Sequence, residues 1–301
     1  RGNIPISFDP AQGVVFGHEY CAEILDYGPG TEKKLKPGTR VCSVPLVIKP
    51  DSLESVGYSN SYPGGYGELM VLSEMMLVPV PGDLPSNIAA LTEPMAIATH
   101  AVARAQLQGD EVPLVIGCGP IGLAMILALK ARGIGPVIAS EFSSGRRALA
   151  EKMGADIVVN PADTSPYQSW LDVAAPAGYD MHGAMAIMGL GPMPKPCVIF
   201  ECVGVPGIIQ QVLASAPPRS RLMVVGVCMQ PDTIEPLMAI SKEMNVHFVY
   251  AYTGEEFAQT LTDLADGRLE AEPIITSVVQ PEGVAQAFDT LAKPEDEAKI
   301  V

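Results

Sequence analysis

One stretch near the middle of the chain restricts the fold more than any other. Pro113-Leu114-Val115-Ile116 is an apolar run that enters Gly117-Cys118-Gly119-Pro120-Ile121-Gly122. An apolar helical pattern continues to Arg132, and a second short run, Val137-Ile138-Ala139, ends at Glu141. Strand, glycine turn, helix, strand and acid is the order a dinucleotide-binding unit requires. Gly117 permits the tight turn, Gly119 lets backbone approach a pyrophosphate, and Gly122 lets helix pack closely on strand. Pro120 and Ile121 open the helix, whose N-terminus offers free N–H groups and a positive dipole end to phosphate. Glu141 follows the last glycine by about twenty residues, as the ribose-binding acid of this fingerprint does. The plainer reading, a glycine turn that merely connects strand to helix, leaves both flanking strands and the acid unexplained.

Length and charge bound the rest. A chain of 301 residues, 48% hydrophobic and 18% charged, suits two domains with separate cores. A net charge of −15 argues against nucleic acid or an anionic membrane as partner, because both need a basic footprint. No apolar run is long enough to cross a bilayer. The six cysteines contain no C-x-x-C pair and read as reduced, buried residues of a cytoplasmic protein. The chain opens Arg1-Gly2-Asn3, with no initiator Met and no signal-peptide pattern, so the start is expected to lie inside a longer protein.

Texture changes along the chain. Val14–Leu25, Arg40–Val47 and Leu69–Val80 read as strands, separated by turn signals such as Gly28-Pro29-Gly30 and Lys36-Pro37-Gly38. A mostly-β unit is expected there. From about 97 to 250 strand and helix alternate, with strands expected at 157–159, 198–200, 222–225 and 246–249. Helices are expected near 146–153, 207–214 and 255–266, giving a parallel sheet covered on both faces. The last residues read as strand, helix (about 282–292) and strand. Residues 176 to 197, rich in Gly, Pro and Met, read as a long loop.

Gly17-His18-Glu19 closes the apolar run Val14-Val15-Phe16. Imidazole and carboxylate are both good Zn²⁺ ligands. Neighbours on a regular strand point to opposite faces, so both can reach one metal only if the backbone is irregular, which Gly17 permits. Taken alone, the triplet is more commonly a core or surface histidine.

The order of motifs is more telling. Gly-His-Glu is followed by Leu35-Lys36-Pro37-Gly38-Thr39-Arg40-Val41, Gly64-Gly65-Tyr66-Gly67-Glu68-Leu69, Leu91-Thr92-Glu93-Pro94 and then the G-x-G-x-x-G unit. Phe200-Glu201-Cys202-Val203-Gly204 and Val224-Val225-Gly226 come later. Over essentially its whole length the chain resembles the medium-chain, zinc-dependent alcohol dehydrogenase superfamily. Glu93-Pro94 with Thr99-His100-Ala101 is most similar to the polyol, sorbitol and threonine dehydrogenase branch.

The resemblance implies an α/β protein with a GroES-like β domain, residues 1–96 and 265–301, and a doubly wound Rossmann domain, residues 97–264. It implies an NAD-dependent alcohol dehydrogenase acting on CH–OH donors, with zinc as Lewis acid, hydride transfer to nicotinamide and domain closure around the substrate. His18 matches a zinc ligand. Glu19 matches a neighbouring glutamate that ligates zinc or sits behind it. Glu93 matches a third-ligand position, either direct or through water; the plainer alternative is an acid at a helix start. Cys202, Val203 and Gly226 fall among the cofactor contacts.

Glu141 favours NAD through both ribose hydroxyls, while Arg146 and Arg147 could instead hold a 2′-phosphate. One catalytic zinc and no structural zinc are expected, because Arg40–Gly64 holds only Cys42. The family's first zinc-ligand cysteine and its proton-relaying Ser or Thr precede Gly-His-Glu, and the segment carrying them is expected to be missing here. Cys21 reads as a core residue. His100 is expected to pack against cofactor or core, His182 to be solvated, and His247 to sit in a core or edge strand. Met181, Met185, Met188 and Met193 could line an apolar pocket, but gap-filling or loop packing is the plainer reading. A homodimer or homotetramer acting on a small alcohol or carbonyl substrate is expected. The rivals are a zinc-free NADPH-dependent quinone or enoyl reductase and a non-catalytic cofactor-binding relative.

Overall fold

Strand–helix alternation builds the larger part of the molecule. The computed structural model describes residues 8–180, 183–293 and 297–301. In chain order the first elements are β1 (Ala22–Glu23), β2 (Arg40–Ser43), β3 (Leu46–Ile48), β4 (Leu53–Ser55), β5 (Leu77–Pro79), α1 (Ser86–Ala89) and α2 (Thr92–Arg104). Next come β6 (Val112–Ile116), α3 (Pro120–Ala131), β7 (Ile138–Ser140), α4 (Ser144–Lys152), β8 (Ile157–Val159), α5 (Pro166–Ala174) and α6 (Ala184–Ile187). β9 (Cys197–Glu201), α7 (Ile208–Ser215), β10 (Arg221–Val224), α8 (Pro236–Ile240) and β11 (Asn245–Phe248) follow. The chain closes with α9 (Gly254–Ala265), β12 (Ile275–Ser277), α10 (Val284–Leu291) and β13 (Lys299–Ile300).

Two compact units divide this order: Arg1–Ala96 with Tyr252–Glu270, and Ile97–Ala251 with Ala271–Val301. The second unit holds a six-stranded parallel sheet in the order β11-β10-β9-β6-β7-β8. Strand order reverses between β6 and β9, the switch point at which doubly wound sheets bind ligands. Burial on both sheet faces explains why these strands are continuous apolar runs rather than alternating ones. Val112, Leu114, Ile138 and Ile199 are fully buried and pack with Trp170, Val212 and Leu213. The helix α3 is apolar nearly all round because it, too, is buried, from Gly122 to Leu129.

The first unit is less regular. Its main sheet is short, β1-β2-β5, all antiparallel, with the β3–β4 hairpin beside it in sequence. Cys42, Ala89, Ala96, Phe257 and Leu261 form one core cluster, and Tyr20, Val47 and Val56 another.

Three expectations need correction. Of Val14–Leu25 only Ala22–Glu23 is strand, and of Leu69–Val80 only Leu77–Pro79. The carbonyls of Val15, Phe16 and Gly17 instead accept bonds from the N–H groups of Gly64, Tyr66 and Gly65, at 2.8, 3.0 and 2.8 Å, a local crossing rather than a ladder. The loop expected over 176–197 holds the short α6, and α5 before it was not foreseen, although Ser165 caps it and Pro166 opens it. Finally, residues 265–301 do not stay together. Those up to Glu270 join the first unit, while Ala271–Val301 joins the second, where Ile274 and Ala298 are buried and Arg146 Nε donates to Glu297 O at 3.1 Å.

Candidate active site

Gly17 sets the geometry of the first constellation. Its φ of +103° is open to glycine but strained for other residues, and an added Cβ would lie 3.0 Å from Gly65 N. From the other side, a Cβ on Gly64 would lie 2.2 Å from Gly17 O. Only paired glycines let the two backbones approach this closely, and the resulting kink breaks strand alternation just before His18 and Glu19. Side chains that a regular strand would send to opposite faces therefore converge.

Glu93 arrives from the first turn of α2, where the helix dipole favours an acid. Ligand atoms of His18, Glu19 and Glu93 lie within 4.8 Å of one another, and His18 Nε2 stands 3.8 Å from a Glu93 oxygen. Tyr252 Oη donates to the other Glu93 oxygen at 3.0 Å. Burial pushes the Glu93 carboxyl up to about 7, and the Tyr252 hydrogen bond opposes that shift. Tyr58 flanks the cluster, its ring centroid 5.1 Å from that of His18, and Phe16 meets Tyr58 edge-on. An imidazole and two carboxylates gathered in a partly buried place form a donor set that suits Zn²⁺. The cation would also offset the cost of keeping Glu93 ionised there.

The second constellation lies at the C-terminal ends of β6, β9 and β10. Gly117 turns at φ +87°, and a Cβ there would meet Val203 Cγ2 at 2.6 Å. Gly119 precedes Pro120 at the start of α3, and a Cβ on Gly122 would fall 1.8 Å from Gly117 O. Glu141 Oε2 accepts from Cys118 N at 2.8 Å and Oε1 from Ser143 N at 2.9 Å, so the acid is held against the glycine turn. Cys202 N donates to Ile116 O at 2.9 Å, and Gly226 N to Glu201 O at 2.8 Å. Gly117, Cys202, Val203 and Gly226 are thus brought together at one end of the sheet.

Residues 1–82 match the alcohol dehydrogenase GroES-like domain, and residues 120–267 match the zinc-binding dehydrogenase family. An L-threonine 3-dehydrogenase of Thermococcus kodakarensis is 31% identical over 277 residues, spanning 87% of this chain and 73% of that one. An (R,R)-butanediol dehydrogenase of Bacillus subtilis is 28% identical over 96% of this chain and 80% of its own. The crystal structure of the 2R,3R-butanediol dehydrogenase from Bacillus subtilis superposes with a TM-score of 0.75 at 28% identity, covering 95% of this chain and 80% of that one. Rat sorbitol dehydrogenase is 28% identical over 93% of this chain and 77% of its own.

The chain belongs to the zinc-dependent medium-chain alcohol dehydrogenase superfamily. Within it, the chain sits in the polyol and threonine dehydrogenase branch and is an oxidoreductase acting on CH–OH donors, with zinc and a nicotinamide cofactor. Neither rival, the zinc-free reductase nor the non-catalytic relative, is favoured by these similarities.

The remaining expectations divide. Arg147 Nη1 donates to Glu141 O at 3.0 Å, and Arg146 is bonded through Nε to Glu297 O, so both arginines are engaged within the protein. His100 is half-buried on α2, and His247 is exposed on β11. Cys21 is half-buried rather than a full core residue. Met185, Met188 and Met193 are exposed, not packed into gaps, because α6 and its flanks present them outward. Met181 and His182 lie outside the described residues.

Two residues escaped sequence reasoning. Tyr252 lies 159 positions from the carboxylate it holds, and no local pattern links them. Glu201, 1% exposed, accepts from Val203 N at 2.7 Å and Gly204 N at 2.8 Å, bracing the turn after β9. Its signals were a charge ending an apolar strand and its place in the Phe200–Gly204 motif, neither of which points to this bracing role. No described helix is long and apolar enough to cross a membrane.

Proposed function

We propose that this chain oxidises a small secondary or primary alcohol reversibly with NAD, at a single zinc held by His18, Glu19 and Glu93. The convergence of those three side chains within 4.8 Å carries the reading. Bound zinc supplies Lewis acidity toward the substrate oxygen, and bound NAD supplies the hydride acceptor. His18 and Glu19 are presented by the Gly17 kink, and Tyr252 orients Glu93. The Tyr58–Phe16 pair gives the constellation an apolar flank.

Gly117, Gly119 and Gly122 bring backbone to the pyrophosphate, and Pro120 and Ile121 begin the helix that faces it. Cys202, Val203 and Gly226 complete the cofactor-facing edge. Glu141, fixed by two backbone N–H groups, keeps lone pairs for ribose hydroxyls and repels a 2′-phosphate. The internal engagement of Arg146 and Arg147 supports the same choice of NAD. Butanediol, threonine and sorbitol dehydrogenases are among the relatives, so a vicinal diol, polyol or amino alcohol is the substrate class.

The two compact units correspond to a GroES-like catalytic domain and a Rossmann domain. A structural zinc is not part of the proposal: no cysteine but Cys42 falls between Arg40 and Gly64. Homodimeric or homotetrameric assembly is supported by the open edge of the sheet at β11, where Phe248, Tyr250, Leu237 and Ile240 are exposed. Six free cysteines support a cytoplasmic setting.

Metal analysis together with a panel of butane-2,3-diol, threonine and sorbitol, each with NAD and NADP, tests the proposal. About one zinc per chain and NAD-linked oxidation of at least one member are expected. A metal-free protein that reduces quinones with NADPH would replace it with the zinc-free reading.

A further inference from the structure

We propose that Cys21 and Cys42 are a peroxide-sensitive pair that closes into a reversible disulfide. The antiparallel register pairs Ala22 with Val41 and Glu23 with Arg40, and one further step sets Cys21 opposite Cys42. Ile24 N bonds to Thr39 O at 3.0 Å, and bonded pairs alternate along an antiparallel ladder. Cys21 and Cys42 therefore fall at a non-hydrogen-bonded position, where Cα atoms stand about 4.5 Å apart and side chains are closest. That spacing lies within the range a disulfide spans, about 4.4–6.8 Å.

Packing agrees with the register. Cys42 belongs to the buried cluster with Ala89, Ala96, Phe257 and Leu261, and Cys21 packs against the same cluster, so both side chains leave one face of the sheet. Their surroundings differ in a way that assigns roles. Cys42 is fully buried, with Sγ donating to Ala89 O at 3.2 Å. Cys21 is half-buried. A partly accessible sulfur backed by a fully buried one is an arrangement in which the first meets the oxidant and the second resolves it.

The chemistry balances with hydrogen peroxide as oxidant. Cys21 sulfur attacks one peroxide oxygen, an S–O bond forms and the O–O bond breaks. The leaving oxygen takes the thiol proton and departs as water, leaving Cys21 as sulfenic acid. Cys42 sulfur then attacks Cys21 sulfur; the S–S bond forms, the S–O bond breaks, and the hydroxyl leaves as water with the Cys42 proton. Two thiols are oxidised by two electrons and one peroxide is reduced. A dithiol reductant reverses the reaction.

The experiment treats the full chain, as purified, with a few equivalents of hydrogen peroxide, blocks remaining thiols, and maps the unreduced digest by mass spectrometry. The expected result is a peptide linking Cys21 to Cys42, an intact mass lowered by about 2 Da, and recovery of both thiols with dithiothreitol. In Cys42→Ala, Cys21 is expected to be trapped as sulfenic acid by dimedone. In Cys21→Ser, a mild change at a half-buried position, the rate of thiol loss should fall at least about ten-fold. Oxidation of wild-type Cys21 to sulfinic acid without a cross-link would overturn the proposal. So would a bond joining Cys118 to Cys202 instead, or survival of both thiols at peroxide levels that oxidise the exposed methionines.

Discussion

The two constellations are built on opposite plans. In the glycine turn the decisive residues are neighbours: Gly117 and Gly119 lie between β6 and α3, Gly122 lies in the first turn of α3, and Glu141 directly follows β7. In the candidate metal cluster they are scattered: His18 and Glu19 come from an irregular segment, Glu93 from a helix 74 positions beyond Glu19, and Tyr252 from much farther along. A local motif needs only the chain's own short-range geometry. A scattered one needs the fold of its whole unit, so it should be the more easily lost.

Four substitutions sharpen or break that contrast. The largest effect is expected from His18→Ala, which should abolish zinc retention and lower alcohol oxidation by roughly 10³-fold, the several kcal/mol that Lewis-acid catalysis contributes. NAD affinity, read by calorimetry on the same variant, should be unchanged; wild-type turnover would remove His18 from the assignment. Gly122→Ala tests the local motif, since the new methyl would fall 1.8 Å from Gly117 O. Overpacking at backbone should cost about 3 kcal/mol in denaturant unfolding together with most NAD binding. If stability and NAD affinity both survive, the turn is looser than the glycine spacing implies.

Glu141→Ala removes the charged acceptor proposed for the ribose hydroxyls. The ratio of kcat/KM for NAD over NADP should fall by about ten-fold or more, the value of a charge-assisted hydrogen bond. An unchanged ratio would move cofactor choice elsewhere. The smallest change, Tyr252→Phe, deletes the hydroxyl that donates to Glu93 at 3.0 Å. Zinc affinity should weaken by about ten-fold, as when the partner of a metal ligand is removed. NAD binding is the internal control, and equal losses in both would mean general destabilisation rather than loss of ligand orientation.

Legibility in the sequence followed the same division. β8 falls on the expected 157–159, and β9, β10 and β11 lie within a residue or two of expectation, because strands buried on both faces must be apolar throughout. The first unit was over-read as strand. Val14–Phe16 has the composition of a strand, but its carbonyls are taken by Gly64–Tyr66, a partner about fifty residues away. The Ser165-Pro166 start of α5 carried its own capping signal and passed unread beside the turn residues around it. His18, Glu19 and Glu93 were legible as candidates through motif order, whereas their convergence was not, since it depends on how Gly17 packs on Gly65.

By its order of residues alone this chain specified a parallel sheet, a glycine turn between strand and helix, and an acid directly after the next strand, since those properties arise from short-range sterics and burial pattern. Tertiary structure alone decided which polar groups meet across long stretches of chain. Tyr252 on Glu93, Glu297 on Arg146 and Cys21 beside Cys42 are contacts that packing creates and local sequence does not encode. The physical reason is range: backbone preferences act over a few residues, while a buried polar group must find its partner wherever the fold supplies one.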